Sequence, residues 1–144
     1  MALEFLSPLH KASRQIGEYL AAGRAGGPAL SNSESHLLTY LRSYAPAPVG
    51  ELVRVFGMKQ STLTSLLDRL EEAGYLRREL NPDDRRSFLI HVTAEGRKVA
   101  DQATRALLAF EEKVRSRVNA RDLQGFRAVM AAIGTVTEVR LRER

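Results

Sequence analysis

The 144-residue chain is 44% hydrophobic, carries 22 basic and 17 acidic side chains, and contains no cysteine. That size suits one globular unit with a sizeable core, and the missing cysteine excludes a disulfide framework, a thiolate metal site, a thiol nucleophile and a cysteine redox switch. The formal charge of +5 points to an acidic partner, yet it is uneven: residues 1–50 hold 4 basic and 3 acidic groups, residues 51–96 hold 7 and 8, and residues 97–144 hold 11 and 6.

The segment Leu3–Leu9 is apolar but broken by Glu4 and Pro8, and no basic stretch precedes it. No run approaches the ~18 apolar residues of a membrane span, so a soluble, cytoplasmic protein is expected. Residues 5–22 are helical in tendency, and AGRAGGP from Ala22 to Pro28 predicts a turn. SNSE at 31–34 has the spacing of a capping box, in which Ser31 accepts a backbone N–H and Glu34 reaches back. Leu37, Leu38, Leu41 and Tyr44 then recur at helical spacing, predicting a helix over about 32–44 that APAP closes at 45–48.

Pro48 can open a short helix, VGELVRVF, which Gly57 ends in a left-handed position. In QSTLTSLLDRLEEAG, Leu63, Leu66, Leu67 and Leu70 form one apolar face and Gly74 supplies the stop. A short helix, a glycine turn and a second helix make a helix-turn-helix pattern. From Tyr75 the period changes to two: YLRREL and RSFLIHV read as strands joined by an Asn81-Pro82-Asp83-Asp84 turn. In the second strand Phe88, Ile90 and Val92 share one face, with Ser87, Leu89 and His91 on the other. Thr93 is the expected N-cap of a long helix through about Val118 with Val99, Ala103, Ala106 or Leu107, Phe110, Val114 and Val118 along a stripe. Asn119 and Asp122 cap a last helix carrying Leu123, Phe126, Met130, Ile133 and Thr137. Two apolar stripes of this length predict a partner helix, most economically from a second copy of the chain.

Catalysis finds no support in these residues. His10, His36 and His91 are widely separated and none has a neighbour at metal-ligand spacing, so no metal or other cofactor is expected. No serine lies in a GxSxG turn and no glycine-rich phosphate loop follows a strand. His91 reads as structural. The helix at 60–73 instead offers Gln60, Ser61, Thr62, Thr64, Ser65 and Arg69, side chains whose hydroxyls, amide and guanidinium can reach base edges in the major groove of DNA. Small polar residues on their own make only a solvated face; the tight turn before this helix and the hairpin after it are what favour a winged helix-turn-helix reader of double-stranded DNA. An arginine at the hairpin tip could then enter a narrow minor groove. Asp84 supports it either by accepting backbone N–H groups of its own turn or by holding a guanidinium.

The stretch from Ser61 to Gly96 resembles the MarR family, the multiple antibiotic resistance regulators of bacteria and archaea. The matching positions are Asp68, Arg69, Leu70, Glu71 and Gly74; Pro82, Asp84, Arg85 and Arg86; and Thr93 and Gly96. The likeness covers Leu30 to Gly96 in detail and the rest only as a pattern of helices. It implies a mainly α fold with a small β-hairpin, in which a winged helix-turn-helix at 31–93 lies between N- and C-terminal dimerisation helices at 1–30 and 94–144. It implies a homodimer that binds a palindromic operator, usually as a repressor, and that, as in many members, is released by a small anionic or phenolic effector. The cysteine-based oxidant sensing of one branch of the family has no counterpart here.

Residue by residue, the resemblance places Ser61, Thr62, Thr64, Ser65 and Arg69 toward the major groove, Arg86 in the minor groove with Asp84 as its support, and Arg85 on phosphate. His10, Arg14, Tyr40 and Tyr44 are candidates to line an effector crevice, and packing or capping roles suit them equally. Two other readings share the same fold: a DNA-binding regulator that takes no ligand, and a winged-helix protein-interaction module.

Overall fold

A computed structural model describes residues 2–23 and 28–137. Six helices and a three-stranded antiparallel sheet follow in the order α1 (Leu6–Ala22), α2 (Asn32–Tyr44), β1 (Ala47–Pro48), α3 (Val49–Phe56), α4 (Gln60–Glu72), β2 (Leu76–Leu80), β3 (Phe88–Val92), α5 (Ala94–Arg115) and α6 (Ala120–Thr137). The architecture is the expected one, mainly helical with a small hairpin. The turn expected over Ala22–Pro28 falls largely outside the described residues.

Local chemistry sets most of the boundaries. The capping box of α2 is formed: Ser31 Oγ accepts the Glu34 N–H at 3.1 Å, and the Ser31 N–H donates to Glu34 Oε2 at 2.8 Å. Ala45 takes the extended conformation that a following proline favours, which ends α2. Gly57 (φ 60°) and Gly74 (φ 81°) occupy the left-handed positions that stop α3 and α4. Asn119 Oδ1 accepts the Asp122 N–H, and the Asn119 N–H donates to Asp122 Oδ2, each at 3.0 Å, so α6 has a reciprocal cap.

Thr93 caps α5 through the Gly96 N–H at 3.0 Å and donates its own hydroxyl to the Gly74 carbonyl at 2.6 Å. Gly96 then lies against the backbone of Tyr75: a Cβ there would sit 1.9 Å from the Tyr75 carbonyl oxygen. The spacing of Thr93 and Gly96 is therefore a docking requirement between α5 and the end of the α4 turn. No larger residue at 96 leaves that contact intact.

The sheet order is β1-β3-β2, with Ala47 opposite Ile90 and Arg78 opposite Ile90 on the other side. Pro48, expected as the first residue of a helix, is instead extended (φ −71°, ψ 145°), belongs to β1 and precedes the helix it was to open. A proline is tolerated there because β1 is an edge strand. The long helix ends at Arg115, three residues before the expected Val118, where the Arg117 and Val118 N–H groups turn back to the carbonyls of Val114 and Arg115.

The core gathers Leu37, Leu38 and Leu41 from α2, Leu52 from α3, the four leucines of α4, Leu76, Ile90, and Val99 and Ala100 from α5. Alternation in β3 holds in part: Ile90 is fully buried, whereas Phe88, on the same face, is 42% exposed because it lies at the distal end of the hairpin opposite Leu80. Burial is scarce in the outer helices. α1 buries only Leu20, and α6 buries no residue.

Candidate nucleic-acid interface

Helix α4 presents two faces. Leu63, Leu66, Leu67 and Leu70 fill the core, and Gln60, Ser61, Thr62, Thr64 and Ser65 are exposed along the opposite side. Thr64 and Ser65 donate their hydroxyls to the carbonyls of Gln60 and Ser61, at 2.8 and 3.1 Å, which leaves the oxygens as outward acceptors. The first turn of α4 has no carboxylate and Lys59 supplies no side-chain cap, so its amide N–H groups are available to an anion.

The hairpin tip is fixed by its own backbone. Asn81 Oδ1 accepts the Asp83 N–H and the Asn81 carbonyl accepts that of Asp84, at 3.0 and 3.2 Å. Asp84 Oδ1 accepts the Arg86 N–H at 3.0 Å, and the Asp84 carbonyl accepts the Ser87 N–H at 3.0 Å. Of the two supports considered for Asp84, the geometry has the first: its carboxylate holds the peptide of Arg86 rather than a guanidinium. Arg85 and Arg86 are exposed, and neither pairs with a carboxylate among the described residues. Gln60 and Thr64 of α4 and Arg86 of the tip line one crevice of about 610 Å³, floored by Val49, Val53 and Phe88.

Arg69 is placed differently from the other α4 residues. Its Nε donates to Glu34 Oε1 at 2.7 Å, which turns it toward α2. Burial tends to raise the Glu34 carboxyl, but the Ser31 N–H and the Arg69 guanidinium outweigh it and hold the group below its usual value. Arg78 of β2 reaches back to α4, donating to Asp68 at 2.5 Å and to Glu71 at 2.6 Å. Reading the sequence missed Glu34 and Arg78 as parts of the site. The DRLE tetrad was the available signal, since its three charges flank the core-facing Leu70.

The four effector candidates fall into two pairs. Tyr40 donates to Glu51 at 2.7 Å, stacks on Tyr44 with centroids 4.4 Å apart and meets Phe56 edge-on at 5.5 Å, which is a packing role between α2 and α3. His10 and Arg14 are exposed on α1, where Arg14 pairs with Glu18 at 3.0 Å. His91 Nε2 lies 2.7 Å from Glu79 Oε2, a contact between adjacent strands. Among the described residues no group of three or more His, Asp or Glu is placed to hold a metal, and no helix is long and apolar enough to cross a membrane.

The profile of the MarR family matches residues 30–88, the span of α2, α3, α4, β2 and the hairpin tip. Over those residues the chain is similar to the MarR family. Among curated relatives, HTH-type transcriptional regulator PecS of Dickeya dadantii is 34% identical over 108 residues, covering 72% of this chain and 64% of that protein. The uncharacterised HTH-type transcriptional regulator YcgE of Bacillus subtilis is 40% identical over 62 residues, 42% of this chain and 40% of its own length. The chain thus spans between about two fifths and two thirds of these relatives. The fold extends further than the sequence likeness: Staphylococcus aureus MepR, solved in complex with DNA, superposes with a TM-score of 0.84 over 94% of this chain and 99% of its own at 17% identity. Streptococcus pneumoniae FabT, also solved with DNA, does so at 0.75 over 92% and 94%, at 19% identity. The matched span takes in most of the buried core and the fixed hairpin tip, while Ile90, Val99 and Ala100 of that core lie beyond it.

Proposed function

We propose that this protein is a MarR-family, sequence-specific DNA-binding regulator of transcription that works as a homodimer. One observation carries the reading: Gln60 and Thr64 of α4 and Arg86, which pairs with no carboxylate among the described residues, line a common crevice, and Asp84 fixes the backbone from which Arg86 projects. In this arrangement α4 lies in the major groove with Gln60, Ser61, Thr62, Thr64 and Ser65 toward base edges. Arg86 reaches the adjoining minor groove, where negative potential concentrates, and Arg85 rests on phosphate. The DNA complexes of MepR and FabT support the reading, since both share the fold.

Two copies place two such units on a palindromic site, and occupation of a promoter in that way represses it. The exposed apolar side chains of the outer helices, among them Leu6, Leu108, Val114 and Phe126, favour the dimer. The test is binding to a duplex carrying the protein's own promoter at several salt concentrations. Arg86→Ala should weaken binding by about 1–3 kcal/mol, and any phosphate neutralised by that side chain should lower the salt slope by about one. Unchanged affinity in Arg86→Ala, or binding without salt dependence, would exclude the reading.

A further inference from the structure

The four residues Asp68 to Glu71 point in three directions. Leu70 enters the core, Asp68 and Glu71 receive the two terminal nitrogens of Arg78 from β2, and Arg69 gives its Nε to Glu34 at the start of α2. The Glu34 side chain is only 9% exposed and spends its other oxygen on the Ser31 N–H. A single carboxylate therefore ties the capped end of α2 to the second half of α4, opposite to the tie made by Arg78. In the first half of α4, Thr64 and Ser65 donate their hydroxyls to carbonyls of the same helix.

An apolar stripe holds a helix against a core without fixing its roll, because hydrophobic contact is non-directional. Charge-assisted hydrogen bonds on both flanks do fix it. Base-edge recognition depends on that roll through hydrogen-bond geometry, whereas phosphate attraction tolerates error. We propose that Glu34 and Arg69 are a positioning pair that sets the angle at which α4 meets the major groove, and that Arg69 is not a base reader. The proposal rests on the DNA-binding reading above and reassigns one residue within it.

The experiment measures affinity for a duplex carrying the protein's own promoter and for a scrambled duplex of equal composition. Glu34→Gln is the informative variant, because glutamine also serves at that capping position and the change removes a negative charge without adding bulk. Promoter affinity should fall about tenfold in Glu34→Gln while scrambled-duplex affinity holds or rises slightly. Combined with Arg69→Ala, Glu34→Gln should add no further loss, and Arg69→Lys should recover part of what Arg69→Ala removes.

Promoter affinity that is unchanged or tighter in Glu34→Gln, with a loss in Arg69→Ala, would make Arg69 a direct reader and overturn the proposal. Equal losses on both duplexes with a lowered melting temperature would reduce the pair to a structural tie and overturn it as well. If the unsubstituted protein does not prefer its promoter, the functional reading fails first and the positioning role fails with it.

Discussion

The middle of the molecule and its two ends are built on opposite terms. From α2 to β3, each helix and strand contributes at least one fully or almost fully buried side chain, and the leucines of α2, α3 and α4 meet in one cluster with Ile90. Helix α6 has a comparable supply of apolar residues but buries none of them, and Phe126 and Val136 are 58% and 83% exposed. Helix α5 crosses from one regime to the other: Val99, Ala100 and Ala103 pack inward, whereas Leu108 and Val114 are exposed. The central part is thus internally satisfied, whereas the ends keep large apolar side chains exposed.

Truncating one large apolar side chain in each region sets the two against each other. Leu38→Ala, at a site with no exposure, should lower the free energy of unfolding by about 2–5 kcal/mol in a denaturant titration. A change under about 1 kcal/mol would mean that the central core is far looser than its packing implies. Phe126→Ala should act on association instead, raising the dimer dissociation constant about tenfold in sedimentation experiments. If Phe126→Ala leaves the oligomeric state unchanged, the α6 stripe is not an interface and the contrast loses half its content.

Much of the central part was legible because its signals are local. Ser31 with Glu34, Thr93 with Gly96, and Asn119 with Asp122 each announce a helix start within four residues, and all three caps form. The leucine face of α4 follows from spacing alone. What escaped depends on distant partners. β1 has only two residues, and nothing in APAP announces that Ala47 pairs with Ile90. Arg69 has the chemistry of a base reader, and only the fold shows that a carboxylate 35 positions earlier holds its Nε. Alternation assigned Phe88 to the face of Ile90, but spacing carries no information on how far along a hairpin the core extends.

Asp84 stood between these cases, since its sequence context offered two roles and the hydrogen bond to the Arg86 N–H decides between them. It also gives the sharpest test of the central claim that placement, rather than bulk charge, makes the hairpin a DNA contact. Residues 51–96 carry 7 basic and 8 acidic groups, so attraction by net charge is not what this region supplies. The decisive measurement is the affinity of Asp84→Ala for a promoter duplex by fluorescence anisotropy across a salt series. Placement predicts weaker binding by about 1 kcal/mol despite the loss of a negative charge, because the backbone that aims Arg86 is released. Binding that stays the same or tightens would contradict it.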